Sequence, residues 1–379
     1  MKKIKEKIWS NVPYKTWEYE KQTKMKHNVF NYYFPIWLKI LSSRPSIKEL
    51  TYVDGFGGIG AYHSKEDIKG GIYLSENFGS PIFSISAVDK IEKEKNTKVN
   101  VVIIDKLKEN LENIKKILIH NKLSIKNCLS IEGDFDVEVN KYLDSIDGKI
   151  MPTLYFIDPF GISGIKLKTL RRMMKNQYTE ILLNFMYNSL QRWIDHPNPK
   201  VNKIYDEYFD GDQWRSCKGK HLKEKEEKLV SIFRSKCKDF SGFVYPFKIK
   251  FPKKNQTYYY LFHLSDSSLA CSLMKDSFAK FNNGKSEYEG EIIQSSLLVP
   301  LEKKEKKEKF QEKLKNIYKG RKTKYHQIID NFIDETDLLQ SEIKIILSKM
   351  EKEKLIKVDP GDHRKRTKGF KNFDFINFV

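Results

Sequence analysis

Apolar positions in the first half of the chain fall into short runs that alternate with helical patterns. Leu50–Val53, Val99–Ile104, Cys128–Ile131, Thr153–Ile157 and Glu180–Phe185 each read as a strand. After the second run, Leu107, Leu111, Ile114, Ile117 and Leu118 recur at helical spacing, and a helical stretch over Leu167–Met174 follows the fourth. Strand runs alternating with helices predict a parallel, doubly wound α/β sheet. Tyr258–Leu264 and Ile292–Leu298 are expected to close it as an antiparallel hairpin. Ahead of the first strand, Val29, Tyr32, Tyr33, Ile36, Trp37 and Ile40 mark an amphipathic helix within Lys24–Leu41, with a kink expected at Pro35.

The same pattern divides the chain. Residues 1–49 form an N-terminal helical extension, and residues 50–300 hold the sheet, interrupted by a polar loop over 61–80 and an insertion over 186–245. Residues 302–315 alternate Lys and Glu and read as a solvent-facing helix or linker, the charged linker taken as 301–319. In the tail, 320–379, Tyr325–Ile333 and Ser341–Lys349 are helical, with Asp337 expected to cap the helix that follows it. Leu355–Val358 and Phe373–Phe378 are strands around a basic wing at Arg364, Lys365, Arg366 and Lys368. Helices followed by a basic hairpin predict a winged helix-turn-helix that contacts nucleic acid, the alternative being a packing or dimerisation module.

Composition sharpens the partner class. Across 379 residues the formal net charge is +20, which suits a polyanion such as DNA or RNA. Cys128, Cys217, Cys237 and Cys271 form no CxxC pair, so neither a metal site nor a disulfide framework is expected. Met1-Lys-Lys is not followed by an apolar segment, and a cytoplasmic protein is expected.

The strand ends carry the candidate chemistry. Asp54 opens the turn Gly55-Phe56-Gly57-Gly58-Ile59-Gly60, where backbone amides approach a ligand. An acid at that point repels a pyrophosphate and attracts an ammonium, favouring S-adenosyl-L-methionine over a dinucleotide. Asp105 ends the second strand and is placed to accept ribose hydroxyls. At the third, Asp134 is placed to take an adenine amino group and Phe135 to cover its face, with Asp136 a competing acid. The fourth delivers Asp158-Pro159-Phe160-Gly161. There a carboxylate and a proline carbonyl can accept from an exocyclic amine, and an aromatic ring can stack on the base, which must be single-stranded or flipped out.

These residues resemble the class I S-adenosyl-L-methionine-dependent methyltransferases and, within them, the three-Cys-motif partner protein family. The resemblance spans residues 20–300 and rests on Lys26-His27, Trp37, Tyr52–Gly60, Gly79-Ser80-Pro81, Phe156–Gly161 and Tyr259–Phe281. The family's usual Phe-Ala-Gly is here Phe56-Gly57-Gly58. The resemblance implies a Rossmann-like methyltransferase sheet with helical insertions and a winged helix after it. It further implies cofactor contacts at Asp54, Gly55, Gly57, Asp105 and Asp134, acceptor contacts at Asp158, Pro159 and Phe160, and a separate partner protein with three cysteines. The Asp-Pro-Phe-Gly string is similar to that of tRNA guanine-N2 dimethyltransferases and less close to the Asp-Pro-Pro-Tyr of DNA adenine-N6 enzymes. The expectation is a base N-methyltransferase acting at guanine N2 or adenine N6; the alternative is a non-catalytic adaptor built on the same fold.

Overall fold

A computed structural model describes residues 6–95, 97–146, 151–251, 256–282, 287–288, 298–361 and 369–379. The chain divides into two compact units, residues 1–267 with 277–290 and residues 268–276 with 291–379.

Seven strands organise the first unit: Glu49–Asp54 (β1), Lys98–Asp105 (β2), Cys128–Glu132 (β3), Thr153–Ile157 (β4), Glu180–Phe185 (β5), Phe243–Lys250 (β6) and Thr257–Ser265 (β7). Their order is β3-β2-β1-β4-β5-β7-β6, and the short strand Glu287–Tyr288 adds an eighth beside β6. The first five are parallel, and β7 runs antiparallel to both β5 and β6. This is the strand order of the class I methyltransferase sheet. Chain progression reverses between β1 and β4, so their carboxyl ends border the crevice where such sheets take ligands. Every residue of β4 and β5 is buried, as sheets covered on both faces require.

The hairpin partner of β7 is β6, not Ile292–Leu298. Residues 292–297 lie outside the described residues. Helices Lys21–Ser42 (α1), Ser80–Glu94 (α2), Lys108–His120 (α3), Phe135–Ser145 (α4) and Leu167–Met173 (α5) flank the sheet. Helix α1 continues through Pro35 and buries Met25, Val29, Phe30, Tyr33, Phe34 and Trp37. Its Phe30 stacks on Phe156 of β4 at 4.9 Å.

The N-terminal extension is not purely helical. Glu6–Ile8 and Lys15–Glu18 join Ala61–His63 and Asn77–Phe78, from the stretch expected as a loop, in a second small sheet. Asn113 of α3 ties this sheet to the glycine turn. Its side chain accepts from the Lys15 amide at 2.8 Å and donates to the Ile59 carbonyl at 2.7 Å.

Within the 186–245 insertion, helices Tyr187–Trp193 (α6), Pro199–Phe209 (α7) and Leu222–Lys238 (α8) bury Tyr205, Tyr208, Phe209, Trp214 and Phe233 completely. Phe233 packs on Phe185 of β5 at 4.8 Å between ring centroids.

Helix Ser268–Phe281 (α9) is shared between the two units. In the second unit, Leu298–Tyr318 (α10) precedes the strand Lys322–Lys324, helices Tyr325–Phe332 (α11) and Gln340–Lys352 (α12), and strands Ile356–Asp359 and Phe375–Phe378. These three strands pair with Phe375–Phe378 in the middle. The stretch expected as a charged linker or solvent-facing helix is a helix, and it contributes Phe310, Leu314 and Tyr318 to the unit's core. Those three residues recur every fourth position beneath a charged exterior. Asp337 does not cap a helix: α12 begins at Gln340, the Glu342 carboxylate accepts from the Leu339 amide, and Asp337 pairs with Lys306.

Lys275 of α9 is buried, and its ammonium donates to the carbonyls of Ile333, Thr336 and Leu338 at 2.6–2.7 Å. Burial lowers its pKa to about 8. Those carbonyls follow the end of α11, where intrahelical donors run out.

Candidate active site

The four strand-end acids stand along one edge of the sheet, each in a different environment. Asp54 closes β1 and has no exposed surface. The Tyr52 hydroxyl donates to it at 2.9 Å, and the Ser80 hydroxyl at the start of α2 bonds it as well. Burial raises its pKa to about 7, the hydrogen bonds opposing and the Asp158 charge reinforcing the shift. Near neutral pH this carboxyl is poised between its two forms.

The turn after Asp54 is laced into the neighbouring strands. The Gly55 amide donates to the Phe156 carbonyl at 2.9 Å and the Gly57 amide to the Ile104 carbonyl at 3.0 Å. A Cβ on Gly55 would lie 2.6 Å from the Phe135 ring, so only glycine admits that ring beneath the turn. Gly58 has φ +60°, and the Trp17 ring lies where its Cβ would meet an atom at 3.3 Å.

Asp105, at the end of β2, accepts from the Gly58 amide at 2.7 Å, the Leu107 amide at 2.8 Å and Asn110 Nδ2 at 3.0 Å. It anchors the glycine turn and the start of α3. Beside it, Leu107, expected on the apolar stripe of the following helix, instead precedes that helix and is 58 % exposed, an apolar surface at this edge.

Asp134 is half-buried at the N-cap of α4, and its carboxylate accepts from the Asp136 amide at 3.2 Å. Asp136 is more fully committed. It is buried, accepts from the Thr169 hydroxyl and pairs with Lys166 at 3.0 Å. The Phe135 ring is buried against Phe56 at 5.2 Å.

Asp158 ends β4 and is held from two sides. Lys26 of α1 forms an ion pair with its Oδ2, and Asn184 near the end of β5 donates from Nδ2 to its Oδ1 at 2.7 Å. Lys26 and Asn184 are themselves buried, and the Asn184 Oδ1 has no hydrogen-bond partner. Pro159 is buried, whereas Phe160 is 52 % exposed and meets Trp17 edge-on at 5.7 Å. Trp17 thus touches both the glycine turn and the ring after Asp158.

An aromatic cluster adjoins the Lys26–Asp158 pair. Tyr19 stacks on Tyr62 at 4.9 Å, and its hydroxyl contacts His27 Nδ1 at 3.2 Å. Burial, with the adjacent Lys26 charge, lowers the His27 pKa to about 3, so the imidazole is neutral. Lys26 and His27 entered the sequence reading only through a resemblance, and Trp17 and Asn184 were given no role. Their roles depend on contacts with residues far away in the chain, which periodicity does not encode.

The basic wing residues Arg364, Lys365, Arg366 and Lys368 lie outside the described residues. Among the described residues no helix is long and apolar enough to cross a membrane.

No family model and no curated protein matches the chain. Solved structures similar to it include a Clostridium thermocellum protein described as a candidate rRNA methylase, at 16 % identity over 62 % of this chain and 96 % of that one, TM-score 0.30. A Legionella pneumophila protein from a family of unknown function shares 13 % identity over 70 % and 94 %, TM-score 0.41. A Methanococcus maripaludis protein described as a candidate S-adenosyl-L-methionine-dependent methyltransferase shares 10 % over 65 % and 90 %, TM-score 0.28. At these scores the fold rests on the chain's own strand order, which is that of a class I methyltransferase sheet.

Proposed function

We propose that this protein is an S-adenosyl-L-methionine-dependent N-methyltransferase acting on the exocyclic amine of a nucleic-acid base, at guanine N2 or adenine N6. One observation carries the reading. Asp54 and Asp158 end adjacent parallel strands at the point where strand order reverses, the first wrapped by a glycine turn and the second followed by an exposed aromatic ring.

The residues at β1–β3 suit the cofactor. Asp54 can release its proton and face an ammonium group, Gly55 and Gly57 keep the turn close to the sheet, and Phe56 with Phe135 supports it from below. Asp105 and Asp134 are assigned to the ribose and adenine, with Leu107 offering the apolar face. Bound there, S-adenosyl-L-methionine would supply an activated methyl group.

Asp158, Pro159 and Phe160 are assigned to the acceptor. The carboxylate is fixed by Lys26 and Asn184, the Pro159 carbonyl ends the same strand, and Phe160 with Trp17 forms an aromatic corner for a base. Asp158 and the Pro159 carbonyl would hold the amine so that its nitrogen faces that methyl group. The nitrogen's surplus proton passes to Asp158 and then to water. Positioning supplies most of the rate in such a scheme.

The second unit has the element order of a winged helix. Its helix α12 exposes Lys344, Lys349 and Lys352, a face suited to docking a polyanionic substrate. A three-cysteine partner protein remains part of this proposal. The test is mass spectrometry of nucleosides from cells with and without the protein. A methylated guanosine or adenosine present only with the protein supports the reading; identical nucleoside profiles contradict it.

A second reading has its own observation. The ion pair on Asp158 and the three donors on Asp105 leave little free carboxylate in this state, as in an adaptor that keeps the fold without turnover. Salt-sensitive nucleic-acid binding unchanged by Asp158→Ala, with no methyl transfer by the intact protein, would favour it.

A further inference from the structure

We infer that Asn184 determines acceptor specificity, its Oδ1 taking one hydrogen of the target amine so that the site admits bases that carry an exocyclic amine and rejects those that lack one. The inference rests on the proposed base-binding role of Asp158 and goes beyond it.

Asn184 is 2 % exposed, on a strand whose residues are all buried. Its Nδ2 is committed to Asp158 Oδ1 at 2.7 Å. That contact also fixes the orientation of the amide, because the flipped form would set Oδ1 against a carboxylate oxygen. With one Nδ2 hydrogen on Asp158, Oδ1 is left buried and without a partner. An unmet buried acceptor costs free energy unless a ligand satisfies it. Pairing across β7 and β4 sets the backbone of Asn184 opposite Leu261 and one register position beyond Leu183, which pairs with Ile157. The side chain therefore sits level with Asp158, at the carboxyl ends of two adjacent strands.

The consequence is a donor–acceptor filter. Asp158 has one oxygen on Lys26 and the other on Asn184, so the remaining unmet polar atom of this trio is an acceptor. An –NH2 group completes it, and a keto oxygen would repel it. A site built to hydrogen-bond a donor rejects an analogue lacking that donor far more strongly than an apolar pocket rejects an added methylene.

The experiment uses the full chain and three single-stranded oligothymidylates, each carrying one adenine, one guanine or one hypoxanthine. Hypoxanthine replaces the adenine amine by a keto oxygen and lacks the guanine amine. Wild-type protein is expected to bind the adenine or the guanine strand about 10-fold more tightly than the hypoxanthine strand. Asn184→Leu removes the acceptor and should equalise the three. Asn184→Asp presents a carboxyl that can donate to Asp158 only when the two acids share a proton. Its carboxyl still accepts from the amine, so Asn184→Asp should keep the preference for the amine-bearing strands, which a merely structural asparagine would not require. Equal wild-type affinity for all three strands overturns the inference, as does discrimination retained in Asn184→Leu. Methyl transfer to the same strands is read in parallel. Discrimination without transfer leaves this inference standing and defeats the methyltransferase proposal; transfer without discrimination does the reverse.

Discussion

The ammonium of Lys26, on the helix that precedes the first core strand, is paired with the carboxylate of Asp158 at the end of the fourth. Both side chains are largely withdrawn from water, at 10 % and 17 % relative exposure. The pair joins the N-terminal extension to the candidate acceptor site, so that extension belongs to the site and is not an accessory to it.

Removing one partner of such a pair leaves the other charge uncompensated. Lys26→Met is expected to lower unfolding stability by about 3 kcal/mol. Lys26→Met combined with Asp158→Asn should recover much of that loss, since no buried charge remains. Denaturant titration of the two variants checks both statements.

Asp54 gives a pH dependence of definite sign. Its pKa rises from 3.8 in the unfolded chain to about 7 in the folded protein. Its contribution to stability is therefore full below about pH 4 and is lost as pH rises through 7. Thermal unfolding of wild type against Asp54→Asn across this range should show the wild type losing its relative advantage toward neutral pH. If the cofactor ammonium docks on this carboxylate, binding releases a proton below pH 7. Affinity should then climb with pH up to about 7 and level off, which calorimetry in buffers of different ionisation enthalpy measures directly.

Gly55→Ala places a methyl group 2.6 Å from the buried Phe135 ring. The expected cost is about 1–3 kcal/mol of stability together with weakened cofactor binding. Gly55→Ala with Phe135→Leu should relieve part of the clash, and melting temperatures of the single and double variants compare them.

Lys275→Met would strip donors from three carbonyls in the second unit. A loss of about 3 kcal/mol is expected, confined to that unit. Hydrogen exchange should show faster opening of Tyr325–Phe332 while the strand Thr153–Ile157 keeps its protection.

Much of the sheet was legible because parallel strands covered on both faces must be continuously apolar, and Thr153–Ile157 and Glu180–Phe185 have the predicted limits. Strand Phe243–Lys250 was hidden by Pro246 and by lysines that alternate with its buried residues. The stripe Phe310, Leu314, Tyr318 was masked by the lysines and glutamates around it. At the site, the acids were visible as strand ends, but their partners were not. Lys26 precedes Asp158 by more than a hundred positions, and no local pattern announces that an ammonium will fold back onto that acid. The place of Phe135 was equally hidden: its ring lies under the turn because Gly55 has no Cβ, a contact the sequence pattern does not carry.

The central claim is that Asp158 presents a base amine to an activated methyl group. The direct test is transfer of labelled methyl from S-adenosyl-L-methionine to total RNA and DNA by the intact protein and by Asp158→Ala. Label in one nucleic acid, lost by at least about 100-fold in the variant while nucleic-acid binding persists, is the predicted result. No label in either substrate, or equal label from both proteins, contradicts the account.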